Sequence, residues 1–128
     1  MPSSQTSITF EQFQQLVAEA VEALPAEIRR MMENVAVTVA LYPTEEQKRS
    51  VGLGPGQSLY GLYQGVPLTQ RTSYYGMVPP DRITIFMYPM VYHHPTPEGV
   101  RRQVQKTVLH EIGHHFGMGE KRLRDLGY

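Results

Sequence analysis

His110-Glu111-Ile112-Gly113-His114 sets two imidazoles four residues apart, with a carboxylate directly after the first. On an α-helix, positions four apart are offset by only about 40°, so both rings leave one face, one turn apart, and can bind one zinc ion. Glu111 is rotated about 100° from His110, toward the edge of that face. There a carboxylate can approach a metal-bound water without itself binding the metal. A catalytic zinc site takes three protein ligands and keeps an open position. Glu120, ten residues after His110, is the candidate third ligand. Gly117 would end the helix and let the chain turn back, and a carboxylate is a competent oxygen ligand.

Other residues of chemical interest have plainer readings. His93 and His94 sit between Tyr92 and Pro95, where adjacent histidines are expected in a solvated loop. Tyr74 and Tyr75 can supply a hydroxyl to a developing oxyanion, but ordinary packing is the favoured reading. Arg101 and Arg102 read as a solvated helix face, and the methionines as core filler.

The motif needs a helix beneath it. Thr96 can cap that helix, with Pro97 at the first helical position and Glu98 in the first turn. Val100, Val104, Val108, Ile112 and Phe116 make an i+4 stripe. Counting roughly 100° per residue from Val104, His110 and His114 fall near 240–280°, off the stripe. His115 falls near 20°, inside the stripe, and is expected to be a hydrogen-bonded residue of the core or one that supports the metal ligands from behind. A short helix is expected from Glu120 to Leu126.

At the other end, Thr9 and Gln12 form a capping box, with Ile8 and Phe13 as a staple. Phe10, Phe13, Leu16, Val17, Ala20, Val21 and Leu24 recur on one helical face. Pro25 ends this helix and can open a second, Ala26–Glu33. Val35–Leu41, Ser58–Tyr63 and Ile83–Tyr88 read as strands, the last closed by Pro89. Residues 43–57 and 89–96 read as loops, and 64–81 as a long connection. The glycines between 52 and 56 lack the spacing and the Gly-Lys-Ser/Thr of a phosphate loop.

The chain has 128 residues, which suits one domain with a loose tail at 1–7. Its 12 Lys+Arg balance 12 Asp+Glu, which argues against nucleic acid or an anionic membrane as partner. There is no cysteine, so disulfides, thiolate ligands and thiol catalysis are excluded. No membrane span and no signal-peptide pattern is visible, and a cytoplasmic protein is expected.

The run Thr107-Val-Leu-His-Glu-Ile-Gly-His-His-Phe-Gly-Met-Gly-Glu120, followed by Arg122-Leu-Arg-Asp-Leu-Gly-Tyr128, resembles the small bacterial zincin-like metallopeptidase family. Leu59–Leu68 and Pro80–Ile85 are similar to it as well, so the likeness covers most of the chain from Ser58 onward. It implies a minimal zincin-like α+β fold: a sheet of three or four strands packed on an N-terminal helix and on the C-terminal motif helix. It implies His110 and His114 as zinc ligands, Glu111 as base and an acidic third ligand near position 120. Gly119 stands where an acidic or polar residue is expected. The eight residues after Glu120 leave no room for the Met-turn of true metzincins.

The resulting expectation is a zinc-dependent peptidase that hydrolyses peptide bonds with a metal-activated water. A peptide substrate would align along an exposed edge strand, Ser58–Tyr63 or Ile83–Tyr88. Two rivals belong to other classes. One is a metal-dependent RNA hydrolase of the rRNA-maturation type, opposed by Glu111 and by the lack of basic excess. The other is a non-catalytic metal-binding module.

Overall fold

The computed structural model describes residues 8–54, 56, 58–65, 80–117 and 120–125; for 120, 122 and 123 only the backbone is described. Among these residues, six helices and three strands follow one another: α1 (Phe10–Glu22), α2 (Ala26–Met31), β1 (Val35–Ala40), α3 (Glu45–Ser50), β2 (Gly61–Gln64), β3 (Asp81–Phe86), α4 (Met87–His93), α5 (Pro97–His115) and α6 (Glu120–Asp125). The architecture is α+β, with a small mixed sheet.

Local chemistry sets most of the boundaries. The Gln12 N–H donates to Thr9 Oγ1 at 3.1 Å and the Thr9 N–H to Gln12 Oε1 at 2.8 Å, closing both sides of the capping box on α1. Phe13, Leu16, Val17 and Ala20 form its buried face. Thr96 caps α5 by accepting from the Gly99 N–H at 3.1 Å, with Pro97 in the first turn. At the other end of α5, Phe116 is the C-cap and Gly117 takes φ +75°, the left-handed conformation that suits glycine just past a helix.

Three expectations are corrected here. Residues 43–57 are not all loop, because α3 forms behind a second capping box, Thr44 with Gln47. The stretch 89–96 is not all loop either. Strand β3 ends at Phe86 and passes directly into α4, where Pro89 occupies the first turn. An N–H there has no intrahelical acceptor, so proline is tolerated. The second strand runs over Gly61–Gln64 rather than Ser58–Tyr63. The connection at 64–81 falls largely at residues 66–79, outside the described residues.

The strand order is β1-β3-β2, with β1 parallel and β2 antiparallel to β3. Among the described residues strand β3 is therefore central, and of the two strands expected at an edge only β2 stands at one. Val35, Val37, Val39, Ile83 and Ile85 share one sheet face and join the buried side chains of α1, α4 and α5 in a single core. Val100, Val104, Val108 and Ile112 of the α5 stripe are each fully buried. Phe116 is 46% exposed, contrary to the stripe reading. It lies at the C-cap, where the helix ends. Helix α1 is tied to α5 by the Arg101–Glu19 ion pair at 3.1 Å and by Gln105 Nε2 donating to Ala20 O at 3.0 Å. Among the described residues, no helix is long and apolar enough to cross a membrane.

Candidate active site

Strand β2 and helix α5 run side by side, and their repeats match. Two strand residues advance about 6.6 Å, and four helical residues about 6 Å. Gly61 and Tyr63, alternate residues on one face of β2, therefore meet Thr107 and the pair Glu111/His115, spaced by fours on α5. The approach at Gly61 is tight. A Cβ there would lie 2.6 Å from Thr107 Cγ2, so only glycine lets the strand sit this close.

That closeness holds Glu111. The Tyr63 backbone N–H donates to Glu111 Oε1 at 2.9 Å. The Tyr63 ring stacks on His115, with centroids 4.1 Å apart and planes at 17°. Its hydroxyl donates to Asp81 Oδ2 on β3 at 2.6 Å. His115 Nε2 lies 3.9 Å from the same carboxylate oxygen. His115 thus does not turn into the core as its wheel angle suggested. Its side chain is 42% exposed and covers Tyr63 at the end of the sheet. Sequence reasoning missed Tyr63 and Asp81 as parts of the site. No sequence signal marks a backbone N–H as a carboxylate holder.

Burial pushes the Glu111 carboxyl above its ordinary value, while the Tyr63 N–H and the His114 and His110 imidazoles pull it partly back. A half-buried carboxyl raised in this way is a better proton acceptor than an ordinary exposed one. Glu111 lines a cavity of about 420 Å³ together with Tyr60, Gly61, Lys106, Thr107 and His110. Tyr60 forms part of its wall. Burial raises the pKa of the Tyr60 phenol, and its oxygen lies 2.9 Å from His93 Nδ1. His93, expected to be merely solvated, therefore has a partner. Tyr74 and Tyr75 lie outside the described residues.

The His110 and His114 rings stand on adjacent turns with centroids 6.1 Å apart and planes at 87°. Two imidazoles bound to one tetrahedral ion at about 2.0–2.1 Å have centroids about 5 Å apart. The spacing of the pair is about 1 Å wider than that. Among the described residues no set of three ligating side chains converges. Glu120 begins α6, just past the turn at Gly117, but its side chain is outside the description. Glu111 is drawn toward Tyr63 and is thereby held as a neighbour of the histidine pair.

A family model described as zincin-like metallopeptidase matches residues 32–128 of the chain. Among solved structures, a conserved hypothetical protein from Thermo thermophilus is similar, with 26% identity and a TM-score of 0.51. The match covers 85% of this chain and 94% of that one. No curated protein matches the chain.

Proposed function

Since this chain belongs to the zincin-like metallopeptidase family, we propose that it is a metal-dependent peptidase whose general base is Glu111 and whose metal ligands are His110, His114 and Glu120. Zinc is the metal best suited to a histidine and carboxylate set that keeps an open position. When bound, such an ion supplies Lewis acidity to a scissile carbonyl and lowers the pKa of a water.

The protein's own groups do the rest. Oε1 of Glu111 is fixed by the Tyr63 N–H, which leaves Oε2 to take a proton from the attacking water. Glu111 then delivers that proton to the departing amine, which is the same group acting first as base and then as acid. Strand β2 aligns the peptide. The Phe86 N–H donates to Tyr60 O, so Tyr60 faces β3, and the alternate residues Gly61 and Tyr63 direct their main-chain groups to the opposite side, where no described strand pairs with β2. The Tyr63 N–H is committed to Glu111, so pairing with an extended substrate centres on Gly61.

The observation that carries this reading is the Glu111 carboxylate, pinned by an edge-strand N–H in the wall of a cavity that also contains His110. Glu111→Gln tests it. The variant should bind zinc with the wild-type stoichiometry and lose at least about a hundredfold in peptide hydrolysis, in line with removal of a general base. Hydrolysis within threefold of wild type would overturn the mechanism.

A further inference from the structure

Arg102, Lys106, His110 and His114 follow one another at intervals of four along α5. Each is offset by about 40° from the last, so they form a slowly turning stripe on the side away from the core. Lys106 lines the same cavity as His110 and Glu111. Among the described residues, neither Lys106 nor Arg102 has an ion-pair partner. The net charge of the chain is zero, so this lane of unpaired cations is a local feature. Its field is felt nearby. His94 is held below its ordinary pKa first by burial, then by the charges of His93, Lys106 and Arg102. Glu111 is the carboxylate in the cavity wall, and its Oε1 is held at the other end by Tyr63.

From this arrangement we infer that Lys106 is a specificity-determining residue that receives a carboxylate of the peptide substrate within two residues of the bond to be cut. The inference rests on the peptidase reading above. The reach follows from two rises. Lys106 precedes His110 by four helical residues, about 6 Å along the axis. Two residues of extended peptide cover about the same distance. The carboxylate can be the free C-terminus, in which case short pieces leave the end of the substrate, or it can be an aspartate or glutamate side chain. Arg102, one turn further out, extends the same attraction toward solvent. An ammonium group is a point charge that accepts a carboxylate from several directions, which suits a side chain at an open cavity rim.

The test measures binding, so it does not depend on turnover. Three fluorescein-labelled oligoalanine peptides are titrated into zinc-loaded Glu111→Gln protein and followed by anisotropy. One has a free C-terminus, one a C-terminal amide, and one an amide with a single glutamate two residues from the end. The free acid or the glutamate peptide should bind about tenfold tighter than the plain amide, equivalent to about 1.4 kcal/mol. Whichever does so identifies the source of the carboxylate. In the Glu111→Gln/Lys106→Gln protein the ratio should fall to about one, and Glu111→Gln/Lys106→Arg should restore it. Equal binding of all three peptides, a preference that survives Lys106→Gln, or no binding of any peptide would each overturn the inference. So would a 20-nucleotide RNA that displaces the acid peptide with steep salt dependence, since the cation lane would then serve phosphates. A carboxylate preference in a protein that cleaves no peptide would refute the peptidase reading, and with it the placement beside a cut bond, while the carboxylate contact of Lys106 would stand. Cleavage without the preference would refute only the role of Lys106.

Discussion

Replacing Gly61 with alanine should disturb the site from a position that touches neither metal nor substrate side chain. The new Cβ would stand 2.6 Å from Thr107 Cγ2 and 3.3 Å from both Ile85 Cδ1 and the Thr84 carbonyl oxygen. Carbon atoms settle at about 3.5–4.0 Å, so β2 must move about 1 Å away from α5. A shift of that size carries the Tyr63 N–H, now 2.9 Å from Glu111 Oε1, out of hydrogen-bond range. Overpacking costs about 1–3 kcal/mol, and a lost hydrogen bond to a charged group about 1.5–3 kcal/mol. The reduced freedom of the unfolded chain returns about 0.4–1 kcal/mol. The expected net loss is about 2–5 kcal/mol, read from urea unfolding at neutral pH, together with a fall in kcat for peptide hydrolysis. Thr107→Ser supplies the control. It deletes the offending methyl but keeps the hydroxyl that accepts from Gln103 Nε2 at 3.1 Å, and alone it should cost about 1 kcal/mol. In that background Gly61→Ala should cost at least about 1 kcal/mol less than in wild type, which is a measurable coupling for residues in contact. Two results would refute the reasoning: a Gly61→Ala protein within about 0.5 kcal/mol of wild type, which is the range of an ordinary surface change, or strictly additive effects in the double variant.

The remaining predictions concern the groups around Glu111. Tyr63→Phe removes the hydroxyl that donates to the buried Asp81 at 2.6 Å, and should cost about 1–2 kcal/mol in urea unfolding; an unchanged midpoint would show that the bond contributes nothing. In metal-free protein the Glu111 carboxyl is raised by burial, so the native state holds this proton more tightly than the unfolded chain does. The stabilisation is complete below the unfolded pKa and is lost as pH rises through the folded one. Metal-free Glu111→Gln should therefore gain stability over wild type as pH rises from about 4 to 7, spanning the ordinary carboxyl range and above. A difference between the two proteins that does not change with pH would contradict the shift.

Several elements were legible because their causes are local. The capping box of Thr9 and Gln12, the Thr96-Pro97 start and the Gly117 stop all rest on groups within a few residues of one another. The same kind of signal, Thr44 with Gln47, precedes α3, but the turn-forming glycines that follow it made the whole stretch read as a loop. Pro89 read as a strand terminator, yet the first turn of a helix accepts it equally well. Wheel angles worked for α5 as far as Ile112. For His115 and Phe116 they failed, since an angle says which way a side chain points and not whether anything lies there.

The His110–His114 spacing and the adjacent Glu111 are properties of one helix, and the amino-acid order alone determined that these three groups would stand together. Helical periodicity also determined that the two histidines would lie off the apolar stripe, because both patterns are written in the same 3.6-residue repeat. What holds Glu111 was decided elsewhere. Tyr63 is 48 residues away in sequence, and its N–H reaches the carboxylate only because β2 pairs with β3 and Gly61 lets that strand lie against Thr107. The role inferred for Lys106 has a similar origin. The spacing places it one turn from His110, but a wall of a cavity requires an opposite wall, and β2 provides it. Local spacing depends on bond geometry within a few residues. The enclosure of a site depends on which distant segments pack together, and no short stretch of sequence encodes that by itself.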